Sequence, residues 1–248
     1  MLSALPDQSQ FFQTIWYIIK TFYPIILYGL GITFLLSVVG TVGGFVLSIS
    51  LTQARLVNID RKRDKKANIF FKAATRSVAN GYVTLFRGTP MIVQSMIIFY
   101  GISALKIFPW WTPLTAGLII VTINTTAYIS EVLRGSVQGI SVGQMEAGRS
   151  LGLTHGQTMR KIIWPQAIKN SLPGIGNEFV VNLKDTAVLS VISVVDLFYA
   201  VRQSASSNYR YVEAFIVAAI IYLIITYTSS KVIAFLEKRI GTVRTEND

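Results

Sequence analysis

Polar side chains recur at helical spacing inside an otherwise apolar stretch of the chain. Asn124, Tyr128 and Glu131 stand at positions i, i+4 and i+7, so they share one face of a helix. A polar or ionisable group inside a membrane span is costly and is tolerated where it faces protein or water. These three side chains are therefore candidates to line a pathway for a polar solute. The alternative is that they form hydrogen bonds between helices.

Three further polar residues lie in apolar runs and are candidates for the same pathway. Lys184 and Asp185 are neighbours in the run of residues 174–199, where they either line the pathway or form a local structural ion pair. Gln94, in the run of residues 89–105, is a weaker candidate.

The sequence offers little for catalysis. It has no Cys, its one His (His155) has no partner cluster, and neither a G-x-S-x-G nucleophile motif nor a GxxxxGK[ST] phosphate loop occurs. We therefore expect no catalytic residue, no metal site and no bound cofactor in this chain. Energy for any transport must come from a partner.

The elements that position the polar residues are predicted to be membrane helices. Of the 248 residues, 52% are hydrophobic and 14% are charged. Residues 24–51 contain no charged side chain, and a helix of that length crosses about 30 Å of hydrocarbon. The sequence predicts one all-α, polytopic domain over residues 1–248. Five spans are expected, at residues 24–51, 89–105, 112–133, 174–199 and 212–236.

The basic residues predict the orientation of these spans. The formal net charge is +11, but the basic side chains cluster between apolar runs and not in an aromatic-rich patch, so no nucleic-acid partner is expected. With the N-terminus outside and the C-terminus in the cytoplasm, sixteen basic residues lie inside and four outside. Residues 1–23 are predicted to be an external amphipathic segment, in which residues 8–23 form an interfacial helix or else the start of the first span. Residues 134–173 form a cytoplasmic loop, and residues 241–248 form a tail.

A polar, basic island at residues 146–165 separates two of the apolar runs. Glu146 is predicted to open a helix, because a carboxylate near a helix N-terminus is favoured, and Gly152 is predicted to end it. Thr154 and Gln157 have the spacing of a capping box for a second helix, which Pro165 is expected to limit. On composition alone, an ordinary loop with two helical turns remains open.

The island also resembles a known signature, the EAA loop by which permeases of ABC importers dock onto their ATPase. The matching residues are Glu146, Ala147, Gly148, Gly152, Ile162 and Pro165. Gly148 stands where the family usually has a second Ala, and Trp164 where Leu is usual. Residues 85–90 (LFRGTP), 176–179 (GNEF) and 183–186 (LKDT) are similar to segments of the polar amino-acid permeases of this superfamily.

This resemblance implies a five-helix permease of the type I importer fold in the bacterial inner membrane. Such a permease translocates polar amino acids and lacks its own ATP site. The implied partners are two ATPase subunits that bind ATP and Mg, a second copy or a close paralogue of the chain, and an external solute-binding protein. A stand-alone secondary transporter or channel for small solutes is the alternative, although five spans do not divide into two matched halves. A membrane enzyme would need a reactive cluster that the sequence lacks.

Overall fold

The computed structural model describes residues 10–59 and 64–240, together with the side chains of all of these except residue 240. The described residues are helical almost throughout and contain no β-strand. The helices are α1 (Phe11–Arg55), α2 (Lys66–Gly88), α3 (Met91–Leu105), α4 (Pro113–Gln138), α5 (Val142–Ser150), α6 (His155–Thr158), α7 (Trp164–Asp185), α8 (Leu197–Asn208) and α9 (Tyr211–Ile240). The predicted tail at 241–248 and basic residues 61–63 lie outside the described residues.

The helices contribute to two compact units. The first unit comprises Met1–Gly40, Met91–Val121 and Phe179–Ser229. One of its cores joins α1 to α8 and α9 through buried side chains that include Ile18, Leu197 and Val217. A second core joins α1 to α4 and to the residues after α7 through Leu36, Ile120 and Leu189.

The chain of the first unit leaves the α-helical path after α7. Thr186–Ile192 form a 3₁₀ helix, and Ser193 follows in the left-handed region at φ 64°. The Asp196 side chain then accepts a 2.9 Å hydrogen bond from the Tyr199 backbone N–H and so caps α8. This break is held against α1, because the Leu197 N–H donates to Thr33 Oγ1 over 3.1 Å. Irregular backbone is tolerated at membrane depth where protein surrounds it.

The second unit comprises Thr41–Pro90, Thr122–Glu178 and Ser230–Asp248. In it α1 and α4 approach closely at glycine positions. A Cβ atom added at Gly44 would lie 3.0 Å from the Thr125 side chain. Gly44 is therefore a small residue that allows close approach of the two helices.

Within residues 10–59 and 64–240, three helices are long and apolar enough to cross a membrane: Phe11–Arg55, Pro113–Gln138 and Tyr211–Arg239. By length and composition, α2 and α3 pass the same test when they are taken together, although they are bent by 110° at Thr89–Pro90. Alone, α3 has 15 residues and measures about 22 Å, too short for the second expected span. The expected fourth span at 174–199 is wrong as a single helix, because the 3₁₀ turn and the left-handed Ser193 interrupt it.

The N-terminal prediction also changes in detail. Residues 11–23 and the apolar run after them form one helix of 45 residues, which continues through Pro24. The expected separate helix before Pro24 is therefore not found, and the alternative, a single helix leading into the first span, agrees with the structure. Pro is tolerated inside long membrane helices, where neighbouring groups satisfy the freed carbonyl.

Candidate functional site

The first helix of the island, α5, begins four residues earlier than expected. Ser141 precedes α5, and its side chain accepts a hydrogen bond from the Gly143 backbone N–H, so the helix begins at Val142. Glu146 therefore lies in the middle of α5, and the expectation that it opens the helix is wrong. Ser141 is the better cap, because its hydroxyl satisfies an N–H that the helix leaves free. The Glu146 and Ala147 side chains are exposed.

The end of α5 is a Schellman turn. Gly152 has φ 79°, the Leu153 N–H donates to the Gly148 carbonyl over 3.0 Å, and the Gly152 N–H donates to the Arg149 carbonyl over 2.9 Å. This pair of hydrogen bonds defines the motif, which requires a residue in the left-handed region. The predicted role of Gly152 as the end of the first helix is confirmed.

The second helix of the island starts as expected but does not end where expected. The Gln157 N–H donates to Thr154 Oγ1 over 3.3 Å, and the Thr154 N–H donates to the Gln157 side chain over 2.8 Å, which completes the capping box. The helical path then continues through a π turn at Met159–Ile163 into α7. Pro165 lies in the first turn of α7, where its missing N–H is accommodated by the wider turn before it. Its predicted role as a helix end is wrong.

Close packing of α5 on α6 explains the Gly at position 148. Gly148 is buried, and a Cβ atom added there would lie 2.5 Å from Thr158 Cγ2 and 2.7 Å from Thr158 Oγ1. Thr158 is fully buried and its hydroxyl donates to the Thr154 carbonyl over 3.1 Å, so it has little freedom to move. The segment from Ser141 to Pro165, which we call the helical hairpin, therefore presents Glu146 and Ala147 outward on a fixed support. Ile162 is half-buried within the π turn.

We expect Gly148→Ala to loosen the helical hairpin, because the added methyl group overlaps the Thr158 side chain. Overpacking of this kind costs about 1–3 kcal/mol. The measurement is the melting temperature of the purified protein in detergent, with the double variant Gly148→Ala/Thr158→Ala as the matched control. Removing the Thr158 branch should restore most of the lost stability. If Gly148→Ala were as stable as the wild type, the Thr158 side chain would have to move aside at little cost in free energy.

A second polar site surrounds Glu131, one of the candidate pathway residues. The Glu131 carboxylate accepts a 2.7 Å hydrogen bond from Arg55 and a further bond from Arg134, and Arg87 lies 3.8 Å away. The side chain of Arg55 is only 9% exposed, whereas that of Arg87 is 42% exposed. We call Glu131 and these three arginines the arginine cluster.

The arginine cluster joins three helices of the second unit. Arg55 at the end of α1 also donates to Asn80 of α2 over 3.0 Å and to Ser130 of α4 over 3.2 Å. The Arg87 guanidinium lies 5.5 Å from the centre of the Tyr128 ring, within the range of a cation–π contact. Tyr128 and Glu131 are thus brought together as expected. The charge of Glu131 is already matched by protein groups.

The other candidate pathway residues differ in exposure. Asn124 and Gln94 are buried at 8% and 7% exposure, respectively. Lys184 and Asp185 are exposed, and in the part of the chain that the structure describes no ion pair within 4.0 Å joins them to each other or to another residue. A local ion pair between Lys184 and Asp185 is therefore not present. Neighbouring residues on a helix point in directions about 100° apart, which keeps the two charged groups from direct contact.

The sequence alone did not predict Arg55, Arg87 and Arg134 as partners of Glu131. Arg55 and Arg134 were counted only as part of the cytoplasmic positive charge, and Arg87 was read only as part of the LFRGTP segment. One signal was available: Arg134 follows Glu131 at i+3, the spacing of a helical ion pair. Arg55 lies 76 positions from Glu131, and no local pattern connects them.

Long apolar helices, a helical hairpin with a fixed fold and a charge cluster define a helical membrane protein. The sequence model of the family described as "binding-protein-dependent transport system inner membrane component" matches residues 66–242, and the chain belongs to that family. It is therefore the inner-membrane permease component of such a transport system.

Characterised relatives extend over most of the chain. The nopaline transport system permease protein NocM of Agrobacterium fabrum is 34% identical over 223 residues, with 87% of each chain covered. The glutamine transport system permease protein GlnP of Escherichia coli is 33% identical, with 90% of this chain and 96% of GlnP covered. The arginine transport system permease protein ArtQ of Bacillus subtilis is 31% identical, with 91% and 94% covered.

Solved structures agree with the fold. A crystal structure of an amino acid ABC transporter with histidines matches at a TM-score of 0.77 and 35% identity, covering 89% of this chain and 96% of that one. The MetNI methionine ABC transporter, in inward-facing conformations, matches at a TM-score of 0.71 and 18% identity, covering 89% and 97%. The second likeness shows the shared fold alone.

Proposed function

We propose that the chain is the permease subunit of an ATP-driven importer for polar amino acids. The observation that carries the proposal is the match to an amino acid ABC transporter at 35% identity across 96% of that chain. Relatives named for nopaline, arginine and glutamine transport support the same substrate class. ATP and Mg are bound and used by a separate ATPase, and an external solute-binding protein delivers the substrate.

The helical hairpin is the element that docks onto the ATPase. Support comes from its construction: a Schellman turn and a capping box fix its two helices, while Glu146 and Ala147 remain exposed. A preformed and exposed element binds a partner at a low cost in conformational entropy. The residues that carry the coupling are Glu146, Ala147, Gly148, Gly152, Ile162 and Pro165.

The solute passes beside the polar face of α4 and near the exposed Lys184–Asp185 pair. An exposed charge in a membrane-embedded helix must face water or another subunit and not lipid. This supports a second copy of the chain, or a close paralogue, that covers Lys184 and Asp185 and completes the pathway. Asn124, Tyr128, Glu131 and Gln94 are the further pathway residues. The basic residues support an N-terminus outside and a C-terminus in the cytoplasm, with five crossings of the membrane.

Uptake by a reconstituted complex tests the function directly. The chain is co-produced with its ATPase, purified and placed in vesicles that enclose ATP and Mg, and labelled histidine, arginine or glutamine is added outside with the binding protein. We expect uptake that requires both ATP and the binding protein. Uptake by the chain alone, driven by an ion gradient, would instead support a secondary transporter.

We expect Asn124→Leu to lower or alter amino-acid uptake while the complex still assembles and retains basal ATPase activity. Asn124 lies on the polar face of α4 near the middle of the helix, and leucine removes both its donor and its acceptor. Uptake and melting temperature are measured on the same preparation. Thr126→Val, a similar loss of a polar group elsewhere on α4, is the control. Normal uptake with reduced stability would show that Asn124 forms an interhelical hydrogen bond only.

A further inference from the structure

A groove lies beside the helical hairpin, within the second unit. One cavity of about 540 Å³ is bounded by Ile49 and Gln53 of α1, His155 and Arg160 of the hairpin, and Trp164 and Ile168 of α7. A neighbouring cavity of about 360 Å³ shares His155 with the first and adds Arg55 and Arg76. Because Leu56, Val57, Asn58 and Met159 also border both cavities, the two form one continuous groove.

The groove is positively charged. Arg55, Arg76 and Arg160 border it, and none of the described residues that border it is acidic. Arg55 is held by Glu131, but neither Arg76 nor Arg160 forms an ion pair within 4.0 Å in the described part of the chain. These two side chains are exposed, so their donors are available to an anionic ligand.

The groove also has an apolar wall, which continues along α1 as an exposed stripe. Ile49, Val46 and Val42 stand at i, i−3 and i−7, so they form one stripe on the helix. Val42 and Val46 are 59% and 58% exposed, which is ordinary for a surface that meets acyl chains. Trp164 forms the other wall, and Trp is enriched at the level of lipid headgroups.

We propose that this groove binds an anionic phospholipid, with the headgroup phosphate between Arg76 and Arg160 and an acyl chain along the Val42–Val46–Ile49 stripe. Basic pockets beside membrane helices on the cytoplasmic side bind such headgroups. The assignment to the cytoplasmic leaflet rests on the proposed topology. Because His155, Arg160 and Trp164 belong to or adjoin the helical hairpin, the bound lipid would hold the hairpin against the end of α1.

Fluorescence of Trp164 tests this directly. Trp16, Trp110 and Trp111 are replaced by Phe, which leaves Trp164 as the single Trp of the purified chain. Brominated phosphatidylglycerol or brominated phosphatidylcholine is then added to the protein in neutral detergent, and quenching is followed. We expect phosphatidylglycerol to quench at lower concentration than phosphatidylcholine. Arg76→Gln/Arg160→Gln should weaken phosphatidylglycerol binding roughly tenfold or more, given the contribution of each basic residue near an anionic surface.

The matched control is Arg149→Gln/Lys161→Gln, which removes two exposed basic residues of the hairpin that do not border the groove. Its quenching should stay within about twofold of the parent protein. Equal losses in the two double variants, or equal quenching by the two lipids, would overturn the proposal. Full competition by soluble glycerol phosphate would also overturn it, because it would indicate a site for any small anion. Loss of quenching when the ATPase is added would overturn it too, because it would indicate that the groove contacts the ATPase. The quenching experiment does not depend on amino-acid uptake, so the lipid proposal can hold even if the importer proposal fails.

Discussion

Gly152→Pro is expected to abolish the ATPase activity that substrate-loaded binding protein stimulates, while the chain still inserts into the membrane. Proline fixes φ near −65°, whereas Gly152 has φ 79°, and proline also removes the N–H that donates to the Arg149 carbonyl. The left-handed position costs an ordinary L-residue about 1–2 kcal/mol, and the lost hydrogen bond adds about 1 kcal/mol. The Schellman turn cannot form, so α5 no longer lies in a fixed position beside α6.

Gly156→Ala is the control for this prediction. Gly156 lies in α6, and a Cβ atom there would meet nothing within 4 Å. The stimulated ATPase activity of the Gly156→Ala variant should equal that of the wild type. Glu146→Lys provides a second test, since it reverses an exposed charge on α5 without disturbing the turn. If Gly152→Pro retained full stimulated activity, or if cross-linkers placed along α5 never reached the ATPase, the docking role of the helical hairpin would be refuted.

Glu131→Gln is expected to produce the largest loss of stability among single substitutions in the polar sites. The carboxylate matches Arg55 and Arg134, and Arg55 is nearly buried at 9% exposure. Leaving one partner of a buried ion pair without its counter-charge costs about 3–5 kcal/mol, and the 24% exposure of Glu131 places the expected cost at about 2–3 kcal/mol. The measurement is the melting temperature of the purified complex in detergent.

Arg87→Gln is the comparison for Glu131→Gln. Arg87 is 3.8 Å from the carboxylate and 42% exposed, so its loss should cost about 0–1 kcal/mol, as for other exposed ion pairs. A stable Glu131→Gln protein that has lost uptake would contradict the structural role. Glu131 would then keep only its proposed role in the solute pathway.

Local interactions explain which parts of the helical hairpin were predictable. The capping box of Thr154 and Gln157 and the turn at Gly152 each depend on residues within five positions of one another, so their spacing in the sequence is sufficient. The start of α5 was placed too late because Ser141, a good cap, lay outside the segment that resembles the family. The apolar runs likewise predicted α1, α4 and α9, since the thickness of the bilayer sets their length.

The helix boundaries that were predicted at proline residues were the least reliable. Pro24 and Pro165 were both taken as limits, but helix α1 continues through the first, and the second lies in the first turn of α7. A proline ends a helix in water because its partner carbonyl stays unsatisfied. A membrane helix such as α1 gives up more when its backbone hydrogen bonds are broken, so it continues through Pro24. At Pro165 the π turn of Met159–Ile163 accommodates the missing N–H instead.

The sequence by itself determined that the chain is an all-helical membrane protein with capped helical turns between apolar runs, because composition, run length and cap spacing act locally. Only the tertiary structure decided two features: the break between Thr186 and Asp196, and the matching of Glu131 by Arg55. Both depend on contacts with α1, which is distant in sequence, through Thr33 in the first case and Arg55 in the second. Whether a buried polar group stays unpaired, caps a helix or joins a charge cluster depends on which helices pack around it, and no local pattern carries that information.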